Sequence, residues 1–390
     1  MSKTKLVQSE SELSKKVLRW LTDRQPEMIE QVRELVVRES PTHDKPACDA
    51  LCAYLAEEFH TIGGKLKVHR QAKAGNHLQV DFAGAGGRKP VLLLGHYDTV
   101  YDLGTLKTMP WRDKNGQLYG PGVFDMKGGI AQIMFALRAL HEVNGGLPRP
   151  VTVWLVSDEE IGSDSSRALT EKLAAKCAAA LVCEPAGPGG ALKTARKGVG
   201  DFRITVTGKA AHAGLDFDKG QSAILELTHQ IQAVSRLTDL KRGITLNPGV
   251  IRGGTRTNVI ASEAVVEVDL RIAQKSDGPR MERLVKSLRP VNRNCQLRIE
   301  GGINRPPLER TKQVAALFEK AREVSHGLGF SLSEIAVGGG SDGNFTAGIG
   351  VPTLDGLGAV GDGAHAPHEY VVAAELPRRA ALLAGLIAAV

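Results

Sequence analysis

With 390 residues, 42% of them apolar and 24% charged, the chain has the composition of a globular protein that is long for one hydrophobic core. No apolar run nears the roughly 20 residues of a membrane span, and the polar N-terminal M-S-K-T-K-L-V-Q-S-E lacks the core of a secretory signal, so a cytoplasmic protein away from membranes is expected. The formal charge of +7 comes from dispersed basic residues without interleaved aromatics, which argues against nucleic acid as a partner and suits the attraction of carboxylate substrates.

Leu13, Val17 and Leu21 share a helical face, and Met28, Val32, Leu35 and Val36 resume the pattern, so helix is expected over 10–38 with an interruption at Pro26. Ala47, Leu51, Leu55 and Phe59 mark a second amphipathic helix, stopped by Gly63 and Gly64. Strands are expected at 65–71 and 77–82, and the unbroken apolar run 91–94 reads as a strand buried on both faces. A loop rich in Gly and Pro ends in G-P-G-V-F-D-M-K-G-G at 120–129, after which Ile130, Ile133, Met134, Leu137 and Leu140 recur at helical spacing. Further buried strands are expected at 151–156 and 180–183.

From about Lys197 the texture changes. Strands at 201–207, 244–251, 264–272 and 295–300, with helices at 222–237 and 280–288, give the order β-α-β-β-α-β of a ferredoxin-like module. It reads as a separate domain, residues 197–303, inserted between the halves 1–196 and 304–390 of the first. The chain then returns with a helix over 311–326, the run G-G-G-S-D-G-N at 338–344, a loop over 358–370 and a closing helix from about Ala373. Without Lys-Ser/Thr at P-loop spacing, that glycine run is no nucleotide cradle. Cys48, Cys52, Cys177, Cys183 and Cys295 are odd in number and scattered, so they read as small buried apolar residues. Cys48 and Cys52, four apart on one helix, leave a redox or metal role open.

Three of the buried runs end in metal-binding side chains. Residues 91–94 lead into His96 and Asp98, 151–156 into Asp158, Glu159 and Glu160, and 180–183 into Glu184. His96 and Asp98, two apart on an extended backbone, point the same way. Asp125 lies near a helix start, where exposed N–H groups favour a carboxylate. Open parallel α/β sheets take ligands at the carboxyl ends of their strands, and imidazole with carboxylate suits zinc. A lone H-x-D is weak evidence, and D-E-E alone is more often a solvated turn or helix cap. Recurrence at three strand ends is what gives them weight.

Taken in order, G-H-Y-D-T-V, Y-G-P-G-V-F-D-M-K-G-G, S-D-E-E-I-G-S, V-C-E-P, G-K-A-A-H-A-G and A-H-A-P-H-E-Y resemble the motifs of the di-zinc exopeptidases that include carboxypeptidase G, aminoacylase and succinyl-diaminopimelate desuccinylase. The resemblance implies an α/β fold: a mostly parallel-sheet catalytic domain with an inserted α+β dimerisation or lid domain. It implies two zinc ions per subunit, with cobalt or manganese able to use the same ligands. His96 and Glu184 would hold one ion and Glu160 and His365 the other. Asp125 would bridge them, followed by a cis bond to Met126, and Asp98 would orient the His96 ring. Glu159 would be the general base, taking a proton from water at the metals and returning it to the leaving amine.

On the same resemblance, His212 would cross a homodimer interface to stabilise the oxyanion in the partner's site. Asn258, Arg271 and Arg305 match substrate or carboxylate contacts, joined by backbone N–H groups around Gly340 and Ser341. Glu at 184, where aminopeptidase-type relatives carry Asp, points to the glutamate carboxypeptidase branch. His368 stands where many relatives have Asn or Asp and is a rival to His365 as ligand. The expected function is zinc-dependent hydrolysis of the amide bond to a C-terminal amino acid, in a peptide or N-acyl amino acid with a free carboxylate. The rivals are an N-acyl amino acid deacylase or desuccinylase and, from another class, a catalytically inactive binding protein. The last would have lost a ligand or the base, and every such position is filled.

Overall fold

The structure, a computed structural model, describes residues 3–390, with side chains from residue 12 on; the first two residues of the polar N-terminal stretch lie outside the described residues. Helix α1 (Lys3–Asp23) ends before Pro26, which sits in the first turn of α2 (Gln25–Val36), where its missing N–H has no partner to lose. The Asp44 side chain caps α3 (Lys45–Thr61) by accepting from the Ala47 N–H at 2.9 Å. Strands β1 (Lys65–His69), β2 (His77–Phe82) and β3 (Val91–His96) follow, then two short strands, β4 (Arg112–Lys114) and β5 (Gln117–Tyr119). Next come α4 (Gly128–Asn144), β6 (Val151–Val156), α5 (Arg167–Ala174) and β7 (Ala179–Val182).

The chain divides into two compact units. One runs through Ala195 and includes Arg310–Ala336 and Ser341–Val390; the other comprises Arg196–Glu309 and Val337–Gly340. After β8 (Leu192–Arg196), the second unit contains β9 (Gly198–Thr207), α6 (Ala223–Ser235), β10 (Thr245–Gly253), β11 (Glu263–Ile272), α7 (Asp277–Lys286) and β12 (Gln296–Arg305). Its antiparallel sheet has the order β10-β11-β9-β12, that of a ferredoxin-like module. Phe202, Ile204 and Val206 face its core beside Val266, Val268 and Leu227, while Asp201 and Arg203 alternate outward. Strand β12 continues five residues past the expected end at Glu300. Gly301, at φ +101°, permits this, since any Cβ there would lie 2.0 Å from the Asp201 carbonyl oxygen.

The remaining elements belong mainly to the first unit: α8 (Lys312–Gly327), β13 (Glu334–Val337), α9 (Gly343–Gly348), β14 (Thr353–Leu354), β15 (Gly361–Asp362), β16 (Tyr370–Val372) and α10 (Leu376–Ala389). The central sheet runs β1-β2-β6-β3-β7-β14; β6, β3, β7 and β14 are parallel, and β2 is antiparallel to both neighbours. Every residue of β3 and β6 is buried. Leu92, Leu94, Trp154 and Val156 join an apolar cluster with Ala174 and Cys177, whereas Leu93, Val153 and Leu155 join another with Ile130, Phe135 and Leu383. Full burial of each such Leu or Val contributes about 1.5–3 kcal/mol, and both faces must be covered, which is why these strands read as unbroken apolar runs. A small sheet, β15-β16-β5-β4, joins the loop before β16 to the strand that precedes the Asp125 turn. No helix among the described residues is long and apolar enough to cross a membrane.

Candidate metal centre

Strands β6, β3 and β7 lie side by side and run the same way, so their carboxyl ends meet. His96 is the last residue of β3 and pairs in register with Val156, the last of β6. Glu159 and Glu160 follow in a short 3-10 turn, and Glu184 stands two residues past β7. Asp125 lies in the turn before α4, and its bond to Met126 is cis, as the resemblance implied. His365, in the loop between β15 and β16, adopts the left-handed φ of +63°, an uncommon conformation for a residue with a Cβ.

Asp125 organises the cluster. Its Oδ1 is 3.0 Å from His96 Nε2 and its Oδ2 is 3.3 Å from His365 Nε2. His96 Nε2 is also 3.4 Å from Glu184 Oε1, and His365 Nε2 is 3.2 Å from Glu160 Oε2. The donor atoms of His96, Glu159 and Glu184 all lie within 4.8 Å of one another, as do those of His96, Asp125 and Glu160. It is His365, and not His368, whose ring meets the carboxylates.

Carboxylates outnumber imidazoles here, so the centre is short of positive charge. Burial works against charge on His96, yet Asp125, Asp98 and Glu184 hold its proton affinity well above the usual imidazole range. His365 is pushed up to about 10 by its hydrogen bonds to Asp125 and Glu160. Burial raises the Glu160 carboxyl, and its Oε1 has no hydrogen-bond partner among the described residues. A buried carboxylate oxygen left in that state is costly. Two imidazoles, four carboxylates and one orphaned oxygen therefore fit a pair of divalent cations on hard oxygen and nitrogen donors.

Asp98 has a wider part than orienting one ring. The nearer partner of His96 Nδ1 is the Asp98 backbone carbonyl at 3.0 Å, with the carboxylate at 3.5 Å. The carboxylate itself accepts from Thr42 Oγ1 at 2.8 Å and from the backbone N–H groups of Glu159 and Glu160 at 3.4 and 3.3 Å. It ties the acidic turn to β3. Thr42 went unnoticed in the sequence, being 56 residues from its partner with no motif of its own. The buried Glu369 lies inside A-H-A-P-H-E-Y, but nothing in that motif shows that it bonds to the Asp125 turn.

The remaining candidates fall in two groups in the second unit and one position in the first. His212 and Asn258 lie on adjoining segments, bridged by His212–Val259 pairing and by the Ala213 N–H donating to the Asn258 carbonyl at 3.0 Å. His212 Nδ1 accepts from the Gly214 N–H at 3.1 Å, so in the neutral ring the proton sits on Nε2. Arg271 and Arg305 flank Val199 from the two neighbouring strands, about 10 Å apart along the sheet. Arg305 is buried, and a Cβ on Gly340 would lie 3.1 Å from its Cδ. The Arg271 guanidinium is held by Asp269 at 2.8–3.0 Å. Ser341, in the first unit, is buried, with its hydroxyl donating to Asp355 at 2.5 Å. All five cysteines are buried and unpaired; burial pushes the Cys48 thiol up to about 12 and Cys52 up to about 11.

Comparison with known proteins agrees with this centre. Carboxypeptidase G2 of Pseudomonas sp. (strain RS-16) is 30% identical over 376 residues, covering 94% of this chain and 90% of that protein. Acetylornithine deacetylase of Myxococcus xanthus is 28% identical over 335 residues, covering 80% and 83%. Among solved structures, the aminopeptidase PepT of Bacillus cereus ATCC 10987 superposes with a TM-score of 0.79 at 22% identity, covering 93% of this chain and 98% of that one. Residues 92–389, which hold every side chain of the centre, match peptidase family M20/M25/M40. The chain therefore belongs to that family and is a hydrolase of the metallopeptidase kind.

Proposed function

We propose that the chain is a cytoplasmic, homodimeric di-zinc carboxypeptidase that releases a C-terminal amino acid of the glutamate type from peptides or N-acyl amino acids. Asp125 carries the reading, because its two carboxylate oxygens face two different imidazoles. His96 and Glu184 would hold one ion and His365 and Glu160 the other, with Asp125 between them. When bound, the ions polarise the scissile carbonyl and make water nucleophilic near neutral pH. Glu159 lies within 4.8 Å of the His96 and Glu184 donor atoms. It takes a proton from the attacking water and returns it to the leaving nitrogen. His212 offers its Nε2–H to the oxyanion in the partner subunit's site.

Arg305, with Arg271, Asn258 and the backbone at Gly340 and Ser341, receives the substrate and its carboxylate; a guanidinium fork suits that anion better than an ammonium. Glutamate as the released residue is supported by Glu184 and by the similarity to carboxypeptidase G2. The similarity to acetylornithine deacetylases favours a second reading, an N-acyl amino acid deacylase using the same base and metals. The two differ in the acyl side of the scissile bond, a peptide in the first and a simple acyl group in the second. Measuring kcat/KM for C-terminal glutamyl peptides beside N-acylglutamates and N-acetylornithine separates them. Preference for the glutamyl peptides is expected, and preference for the N-acyl amino acids would replace the first reading by the second.

A further inference from the structure

The Glu369 carboxylate is fully buried and accepts four hydrogen bonds. Its Oε1 takes the backbone N–H groups of Phe124 at 2.8 Å and Asp125 at 2.9 Å. Its Oε2 takes the Gly122 N–H at 3.0 Å and the Tyr101 hydroxyl at 2.7 Å. Three amides of one turn converging on one anion make a nest, and Gly122, at φ +72°, supplies the left-handed step that such a turn needs. A Cβ at Gly122 is further barred by the Thr99 methyl at 2.6 Å.

Any small anion would suit this nest, but the chain fills it with its own side chain, four residues after His365. One carboxylate thereby gathers three segments. The turn that carries Asp125 is held by its amides, the stretch after Asp98 by Tyr101, and the loop that carries His365 by Glu369 itself. The Tyr101 hydroxyl also lies 3.1 Å from the Ala366 carbonyl, one residue from His365. Together they tie the Asp125 backbone to the loop of His365, whose Nε2 is 3.3 Å from Asp125 Oδ2.

We infer that Glu369 is the positioning residue of the metal centre, fixing Asp125 and His365 in the mutual geometry that lets one carboxylate serve two ions. This rests on the metal roles proposed above for Asp125 and His365. A buried carboxylate is strengthened by each bond it accepts, and an amide offers only one accepting end. In Glu369→Gln one end of the side chain becomes N–H₂ and faces backbone N–H donors that now bond to the carboxylate.

The test is competitive chelator titration of Zn²⁺ on the wild type, Glu369→Gln, Tyr101→Phe and Thr170→Val, with the melting temperature of each metal-free protein. Thr170→Val removes the buried bond to Trp154 elsewhere in the same unit and serves as the purely structural control. Wild type is expected to bind two ions. Glu369→Gln should lose roughly 10–100-fold in affinity, and Tyr101→Phe, which removes one of the four donors, a smaller amount. Thr170→Val should lower the melting temperature and leave Zn²⁺ affinity unchanged. Wild-type affinity in both Glu369→Gln and Tyr101→Phe would overturn the inference and leave the proposed function standing. Two ions lost equally from Thr170→Val would reduce Glu369 to general stability. A wild type that binds no pair of ions would overturn the proposed function, and this inference with it. Should Glu369→Gln fail to fold, Tyr101→Phe decides alone.

Discussion

Glu159 and Glu160 are neighbours in one 3-10 turn; Glu160 meets His365 at 3.2 Å, while Glu159 joins the His96 and Glu184 group. Glu159→Ala should therefore retain both ions and lose roughly 10²–10⁴-fold in kcat, the usual worth of a general base; metal analysis beside steady-state kinetics checks both halves. His96→Ala and Asp98→Asn should be unequal. The first removes a ring whose Nε2 meets both Asp125 and Glu184 and should cost one ion per chain. The second keeps the Asp98 carbonyl under His96 Nδ1 and should weaken binding by about 10–100-fold. The buried thiols give a pH prediction. A thiol whose value is raised on folding stabilises the fold below its unfolded value and loses that contribution as pH rises toward its folded one. With Cys48 and Cys177 pushed up to about 12 and Cys52 up to about 11, stability should fall steadily above pH 9. Melting curves from pH 8 to 11 should show a shallower slope in Cys48→Ala. The residues at strand ends were legible because a buried run followed by His, Asp or Glu is unusual on its face. Thr42 and Glu369 were not, because a hydrogen bond across the fold leaves no spacing to read.

At the scale of elements, the loop from Gly356 to Gly358 is fixed to the turn before β8 by one buried arginine. Arg379, in α10, donates to the carbonyls of Gly358 at 3.0 Å, Gly190 at 2.9 Å and Gly356. Burial lowers its guanidinium to about 10. The Gly358 N–H in turn donates to the Glu184 carbonyl at 2.9 Å, so the clamp reaches a candidate ligand through backbone alone. Arg379→Met orphans three acceptors at about 1–3 kcal/mol each, and chemical denaturation should register a loss of at least ~3 kcal/mol. Gly358→Ala should be as severe by another route, since its Cβ would lie 2.1 Å from the Cys183 carbonyl oxygen. Nothing in the closing helix announced this arginine; a buried cation on an apolar helix looks the same in sequence as an exposed one. The small sheet β15-β16-β5-β4 escaped notice for a related reason, its strands being too short to show alternation. The long buried strands and the β-α-β-β-α-β order were readable because their periods persist for five residues or more.

For the whole molecule, the question is whether one subunit's site is complete. His212 belongs to the second unit and the metal cluster to the first, and its Nδ1 is engaged by the Gly214 N–H, which leaves the proton of the neutral ring on Nε2. If His212 serves the partner's site in a homodimer, two inactive variants should repair each other. Glu159→Ala lacks the base but keeps His212, and His212→Ala has the reverse defect. In a mixed dimer one site would then lack both groups while the other has both. Random exchange makes half the dimers mixed, so an equimolar mixture should recover roughly a quarter of wild-type activity. If His212 instead acts within its own chain, each site of the mixed dimer keeps one defect and mixing recovers nothing. Unfolding and refolding the variants together ensures exchange, and the same treatment of each variant alone sets the baseline. The result separates a shared site from a self-contained one.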